Sequence, residues 1–331
     1  MIKPRLDVLC IGNAIVDVIA DSSDAFLEQQ GLTKGSMRLI DEAEAERLYG
    51  VMGPGRELSG GSAGNTAAGL AALGCKAGFI GQVADDQLGS IYRHDIASLG
   101  VEFLVEPRGD VGATARSLIL VTPDAQRTMN TFLGAAQMLD ANAIDQDSVA
   151  DAGILYLEGY LWDPEGPRHA MEAAIDAAKS AGRKVAFTLS DTFVVDRHGP
   201  DFLRLMDAGK IDILFSNAME LAAMTGEEDF DAGVEALSGK VPLLVVTHGD
   251  QGAVAIAGGE RARVAAEPIE ALVDTTGAGD LFAAGFLCGQ ARGLGLEQSL
   301  RLGAIAAAEV IQHYGARPEK DLRSLAGDLL A

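Results

Sequence analysis

Cysteine is scarce: Cys10, Cys75 and Cys288 are the three in 331 residues, scattered and without a C-x-x-C pair. Neither a disulfide framework nor a zinc knuckle is indicated, and a reducing cytoplasm is the expected compartment. Basic residues are also short. Lys and Arg number 26 against 48 Asp and Glu, a net charge of −22. Such a surface repels polyphosphate backbones, so nucleic acid is not an expected partner. An anionic ligand would have to find positive potential locally, in backbone amides, a metal or a few Arg and Lys. No stretch approaches the ~18 uninterrupted apolar residues of a membrane span. The opening twelve residues, broken by Asp7, lack a signal-peptide core and cleavage site, so a soluble chain without a membrane partner is expected. Also missing are the G-x-x-x-x-G-K-[ST] loop, G-x-G-x-x-G, H-E-x-x-H and the protein-kinase H-R-D and D-F-G pair. There is no Pro/Ser-rich linker, low-complexity tract or internal repeat.

What is present is ample core material, 48% hydrophobic residues, arranged in alternation. Short β-rich runs at residues 6–12, 79–83, 154–157, 185–189, 211–215 and 243–247 read as buried strands. Helical patterns lie between them, as at 65–73, 88–99, 167–181 and 230–237. This predicts an α/β fold with a mainly parallel sheet covered on both faces, its ligands beyond the carboxyl ends of the strands. Residues 14–20 and 114–122 instead alternate polar and apolar residues, as half-buried antiparallel strands do. They would suit a small β-sheet lid. The expected organisation is one domain over 1–331, with lid elements at about 14–58 and 110–130 inserted in it.

Asp274-Thr-Thr-Gly-Ala-Gly-Asp280 is the most informative segment: a turn of small residues opening directly into a helix. First-turn amides have no intrahelical partner and, with the helix dipole, form an anion site. Gly277 and Gly279 let an oxyanion approach the backbone. Asp280 stands where a carboxylate would accept the proton of an attacking hydroxyl. Alone, the string also reads as a glycine-rich turn with an acidic residue favouring a helix N-terminus. Asn217-Ala-Met-Glu220, after the 211–215 run, reads as a capping box.

Taken together, these strings resemble the ribokinase-like (PfkB-type) carbohydrate and nucleoside kinases. The D-T-T-G-A-G-D string is similar to the family's second signature, and Gly60-Gly-Ser-Ala-Gly-Asn65 with its Ala/Leu-rich helix is similar to the first. Gly81-Gln-Val-Ala-Asp-Asp-Gln-Leu-Gly89 resembles a third segment, with Ala84 where Gly is usual. The resemblance runs from about Asn13 to Pro318. It implies a three-layer sandwich and an ATP- and Mg²⁺-dependent kinase with Asp280 as base and the Gly277, Ala278 and Gly279 amides stabilising the transferred group. It also implies that Asn217 and Glu220 hold Mg²⁺-bound phosphates through water, and that Thr247 and Gly249 form a T-x-G turn beside the nucleotide. Residues 303–318 would form one wall of the adenine pocket. Asp274 and Thr276 match positions that help bind K⁺, while Arg127 aligns with an arginine that adenosine kinases bring onto the phosphate.

Gly12-Asn-Ala-Ile-Val-Asp17 resembles the opening of adenosine kinases, as do Leu157-Glu-Gly-Tyr160 and Pro318-Glu-Lys. The resemblance implies Asn13, Asp17, Gly61, Ser62 and Asn65 around a ribose, with Met37, Met129 and Tyr160 as an apolar slot for a base. The expected acceptor is a purine nucleoside, adenosine first, phosphorylated at its 5′-hydroxyl. The alternatives are a sugar kinase acting on fructose, ribose or 2-keto-3-deoxygluconate, and a non-catalytic nucleoside-binding protein on the same fold. A monomer or homodimer is expected.

Overall fold

Four consecutive apolar residues near the amino terminus, Val8 to Ile11, are completely buried, and they divide between two cores. Val8 and Cys10 pack with the helices Ser62–Ala72, Ala278–Ala291 and Leu296–Val310. Leu9 and Ile11 pack on the opposite face with Glu165–Ser180 and Thr192–Asp207. Because strand side chains alternate across a sheet, a strand apolar at every position must be covered on both sides. The computed structural model describes residues 4–124 and 126–330. Residues 1–3, 125 and 331, which fall within the expected 1–331 domain and, for Ala125, within the 110–130 segment, lie outside the described residues.

In chain order the strands are β1 (Leu6–Ile11), β2 (Ile15–Asp21), β3 (Met37–Leu39), β4 (Gly55–Ser59), β5 (Ala77–Ile80), β6 (Glu102–Phe103), β7 (Ala115–Val121), β8 (Arg127–Phe132), β9 (Ala152–Glu158), β10 (Lys184–Thr188), β11 (Ile213–Asn217), β12 (Leu243–Thr247), β13 (Ala253–Ala257) and β14 (Glu260–Val264). A nine-stranded sheet runs β14-β13-β12-β11-β10-β9-β1-β5-β6, parallel from β12 to β6 and closed at one edge by the antiparallel β13–β14 hairpin. The α/β class and the six buried strands read from the sequence are therefore present, with ends shifted by a few residues. The edge hairpin was not anticipated.

The second sheet, ordered β3-β8-β7-β2-β4, differs from the expected antiparallel pairing. β2 and β7 lie parallel over seven residues, and each meets its outer neighbour, β4 or β8, antiparallel. Nor is β7 half-buried, since Leu118, Ile119 and Leu120 are all inaccessible. The helix Glu42–Val51 packs against β7 and β8 and supplies the cover that alternation in the strand does not advertise.

Two close helix contacts fix the geometry that follows. A Cβ on Gly69 would stand 2.6 Å from Leu281 Cδ1 and 2.8 Å from the Ala284 methyl. Only hydrogen at that position lets Ser62–Ala72 lie so near Ala278–Ala291. The first turns of these two helices thereby meet beyond the carboxyl end of β1.

Candidate active site

Strand ends converge on a cavity of about 400 Å³ between the two sheets. Tyr160 and Ser190 line it from just after β9 and β10, Asn217 and Thr247 from the last residues of β11 and β12, and Asp17 and Met129 from the smaller sheet. The turn Thr275–Asp280 forms its floor, with Gly61, Ser62, Asn65 and Glu220 around it. A second cavity of about 640 Å³ adjoins it and shares Thr247, Thr275, Ala278, Gly279 and Phe282. Its remaining wall is largely apolar, with Ile269, Leu272, Ala304, Ala307, Ala308 and Ile311 beside Gly249. The glycine turn is thus the threshold between a polar chamber and an apolar one.

Gly277 takes φ 78°, a left-handed conformation suited to glycine, and starts the helix Ala278–Ala291. The Ala278 N–H is bonded to the Thr275 carbonyl at 3.2 Å. Among the described residues the Gly277 and Gly279 N–H groups have no protein acceptor, so they are the donors available to an anion. Asp280 follows in the first helical turn. Its Oδ1 accepts from Ser62 Oγ at 2.6 Å and its Oδ2 from Asn65 Nδ2 at 2.8 Å. Burial raises its pKa to about 6, against the lowering effect of those two hydrogen bonds and of the Arg317 charge. A carboxylate of that affinity is ionised at neutral pH and still basic enough to take a proton.

Asp17 is raised to about 6, also chiefly by burial, with Arg317 and Arg127 acting to lower it. Glu220 closes a capping box on Asn217: its Oε2 accepts from Asn217 N at 3.0 Å, its Oε1 from Asn217 Nδ2 at 2.6 Å. Its burial pushes it up to about 7. No group of three or more His, Cys, Asp or Glu able to hold a metal occurs among the described residues. Isolated carboxylates at a phosphate site suit Mg²⁺, which keeps its water and arrives with phosphates rather than entering a protein cage. Potassium fits less well. Arg127 Nη1 lies against the Asp274 carboxylate and 2.5 Å from Thr276 Oγ1, while Asp274 also accepts from Gly315 N and Thr276 N. A guanidinium already fills the position read as a cation site.

Two residues expected around the acceptor stand elsewhere. Asn13 is buried and turned to Glu158, donating from N and Nδ2 at 2.8 and 2.6 Å, so it braces the wall without lining the cavity. Met37 is half exposed on the edge strand β3, opposite Met129 in register, and does not reach the cavity. Of the expected T-x-G turn, Thr247 lines both chambers and Gly249 the second.

Other residues at the site were not picked out from the sequence. Glu158 is fully buried, accepts also from Ala63 N at 2.7 Å, and is raised by burial to about 7. Ser190, lining the first cavity, is the one non-glycine with positive φ (70°) among the described residues, and its Oγ accepts from Gly159 N at 2.8 Å. Arg317 reaches Asn65 from 252 residues away. Its one sequence signal is a lone cation in a small-residue stretch of an acidic chain.

A sheet of this topology, with free amides at the strand ends between two chambers, suits the transfer of an anionic group from one chamber to the other. Comparison with known proteins agrees. Residues 41–322 match the model of the pfkB family carbohydrate kinases. The chain is 48% identical to a solved structure described as a probable sugar kinase from Rhizobium etli, covering 98% of each chain with a TM-score of 0.90. It is 49% identical to the solved adenosine kinase of Sinorhizobium meliloti, covering 97% of this chain and 98% of that one, again with a TM-score of 0.90. A fructokinase from Klebsiella pneumoniae is 31% identical over 78% of this chain and 85% of its own length. This chain belongs to the pfkB family of carbohydrate kinases, phosphotransferases with an alcohol group as acceptor. Kinases of this family use ATP, commonly with Mg²⁺, and its relatives act on small sugars or nucleosides. Among the described residues no helix is long and apolar enough to cross a membrane.

Proposed function

We propose that the chain phosphorylates the 5′-hydroxyl of a purine nucleoside, adenosine first among them, with the acceptor in the polar chamber and ATP in the apolar one. The observation that carries this reading is the composition of the first cavity. Asp17 offers a carboxylate to vicinal hydroxyls, while Tyr160, Met129 and Ile15 supply apolar wall for a flat base. Tyr160 is steadied by Phe193, their ring centroids 5.9 Å apart. The likeness to an adenosine kinase at 49% identity supports the same reading.

Asp280 takes the hydroxyl proton, late in the transfer, because loose phosphoryl-transfer transition states need little early activation of the nucleophile. The Gly277 and Gly279 amides receive the charge that builds on the transferred group. When MgATP is bound it would supply that group, and Asn217 and Glu220 would hold the metal through its water. Arg127 stands at the same turn with its Nη1 on Asp274 and Thr276, and it would meet a phosphate oxygen by releasing them. The smaller sheet, as a lid from residues 14–58 and 110–130, excludes the water that would divert ATP to hydrolysis.

A second reading, a sugar acceptor, is favoured by the hydroxyls of Ser117, Thr131, Thr188, Ser190 and Ser216 around the same cavity. Coupled ADP release with adenosine, other nucleosides, ribose, fructose and 2-keto-3-deoxygluconate separates the two. The nucleoside reading expects adenosine to give the highest kcat/KM, with weak discrimination among bases, since apolar contacts separate similar ligands by only ~1–3 kcal/mol. Fructose or ribose turning over well above every nucleoside would overturn it.

A further inference from the structure

We infer that Arg317 is a positioning residue for phosphoryl transfer: its guanidinium fixes which end of the Asn65 amide faces Asp280 and supplies a partly buried positive charge that favours the ionised carboxylate. The inference rests on Asp280 being the proton acceptor.

Arg317 Nη1 donates to Asn65 Oδ1 at 2.6 Å, and Asn65 Nδ2 donates onward to Asp280 Oδ2 at 2.8 Å. An amide has an accepting end and a donating end of nearly equal shape, so packing alone does not choose between them. Chemistry does so here. A guanidinium is a donor only and an ionised carboxylate an acceptor only, so Asn65 bridges them in one orientation. Flipped, it would set its oxygen against Asp280 and its NH₂ against Arg317. The other arm of Arg317, Nη2, is held by the Ser59 carbonyl and by Ser59 Oγ at 3.0 Å. Ser59 is in turn anchored by Asp95, whose Oδ2 accepts from Ser59 N at 2.8 Å and Ser59 Oγ at 2.6 Å. The segment that follows Arg317 is tied down by the buried carboxylate of Glu309, which accepts from Glu319 N and Lys320 N at 3.0 and 2.9 Å.

The electrostatic half of the inference comes from the charges that face Asp280. Asp17 from β2 and Glu158 at the end of β9 interact unfavourably with it, and the buried hydroxyls of Tyr156 and Tyr160 also sense its charge. Arg317 is the charge that acts in the opposite direction. It does so at a cost, because burial lowers its own proton affinity. Its two arms serve an amide and a serine, and its Nε is buried without a partner.

The test is the pH dependence of kcat/KM under saturating MgATP, with whichever of adenosine, ribose or fructose turns over best, in wild type, Arg317→Gln and Arg317→Lys. For Arg317→Gln the acid limb should move up by about one pH unit, which is about a tenfold loss below the limb and less above it. Arg317→Lys should leave the limb in place while lowering kcat about tenfold, because one ammonium cannot serve Asn65 and Ser59 as a fork does. An unmoved limb in a folded Gln variant would reduce Arg317 to a structural strap and overturn the inference. Should the Gln variant fail to fold, the Lys variant decides: wild-type kcat there overturns the orienting role, and a shifted limb overturns the charge role. Asp280→Asn serves as the separate control. Retained turnover in that variant sinks Asp280 as acceptor, whereas a dead Asp280→Asn with an unmoved Arg317→Gln limb sinks only the present inference.

Discussion

Both oxygens of Asp280 already carry a hydrogen bond, so the residue is held in place before any acceptor hydroxyl arrives. Asp280→Asn keeps the volume and removes the ability to take a proton. It should abolish turnover while leaving nucleotide affinity within about tenfold, ~1.4 kcal/mol, as read by titration calorimetry. Residual turnover beyond a few per cent would take the base role away from Asp280. With its pKa raised to about 6, the ionised form is lost as pH falls through that value. Wild-type kcat/KM should therefore fall as pH drops through about 6, where Asp280 takes up its proton. Arg127→Ala removes a guanidinium from the anion turn and should lower kcat roughly ten- to a thousandfold, the range for lost transition-state charge stabilisation. An unaffected kcat would return Arg127 to an architectural role. Because that guanidinium occupies the Asp274 and Thr276 oxygens, wild-type turnover should be the same in potassium chloride as in tetramethylammonium chloride. A strong potassium requirement would mean that the ion displaces the arginine.

The turn before the helix Ala278–Ala291 depends on one left-handed glycine. At Gly277 a Cβ would lie 2.5 Å from the Ala316 methyl, on a backbone with φ 78°. Gly277→Ala should cost about 1–3 kcal/mol of local strain. The expected readout is a fall in kcat with a smaller fall in Tm; unchanged kinetics would show that the turn tolerates distortion. Requirements of this local kind are what a sequence displays most clearly. The strings around Gly61 and Gly277 could be read because they need particular residues at fixed neighbouring positions. The β13–β14 hairpin also had a local signal, the Gly258-Gly259 pair between two β-rich runs. Its two strands pair antiparallel at the edge of a sheet whose other strands follow the strand–helix alternation. Glu158, Ser190 and Arg317 offered much less. Each acquires its meaning from a partner at least 31 residues away, and nothing in the adjacent sequence names that partner. Met37 shows the converse: a plausible residue type, displaced from the site because its strand lies at the sheet's edge.

Across the whole molecule, four carboxylates at the site, Glu158 and Glu220 buried and Asp17 and Asp280 partly so, are raised, Asp17 and Asp280 to about 6 and Glu158 and Glu220 to about 7. In each case folding strengthens proton binding relative to ordinary values of 3.8 or 4.5. Stability must then fall as pH rises through the window between those values and about 7. The repulsion expected from a net charge of −22 acts in the same direction. Glu44 and Asp124, held near 2 by exposed ion pairs, oppose the trend only at lower pH. Ligand-free protein should melt at a higher temperature at pH 5.5 than at pH 8. A Tm that rises toward pH 8 would contradict the buried-carboxylate account.

The pairing of Ser62 with Asp280 spans 218 residues, and that of Asn65 with Arg317 spans 252. During synthesis, the acceptor side of the site leaves the ribosome long before the base that would use it. At 5–20 residues per second the gap is roughly 10–40 s. With Asp280 as the proton acceptor, the growing polypeptide lacks throughout that interval the group that takes the hydroxyl proton, however much of its large sheet has formed. Stalled chains released short of residue 280 should release no ADP, and competence should appear only once residues 280–317 are free to dock. If Asp280 is the proton acceptor, the order of translation itself guards against futile turnover, since that carboxylate is among the last parts of the site to arrive.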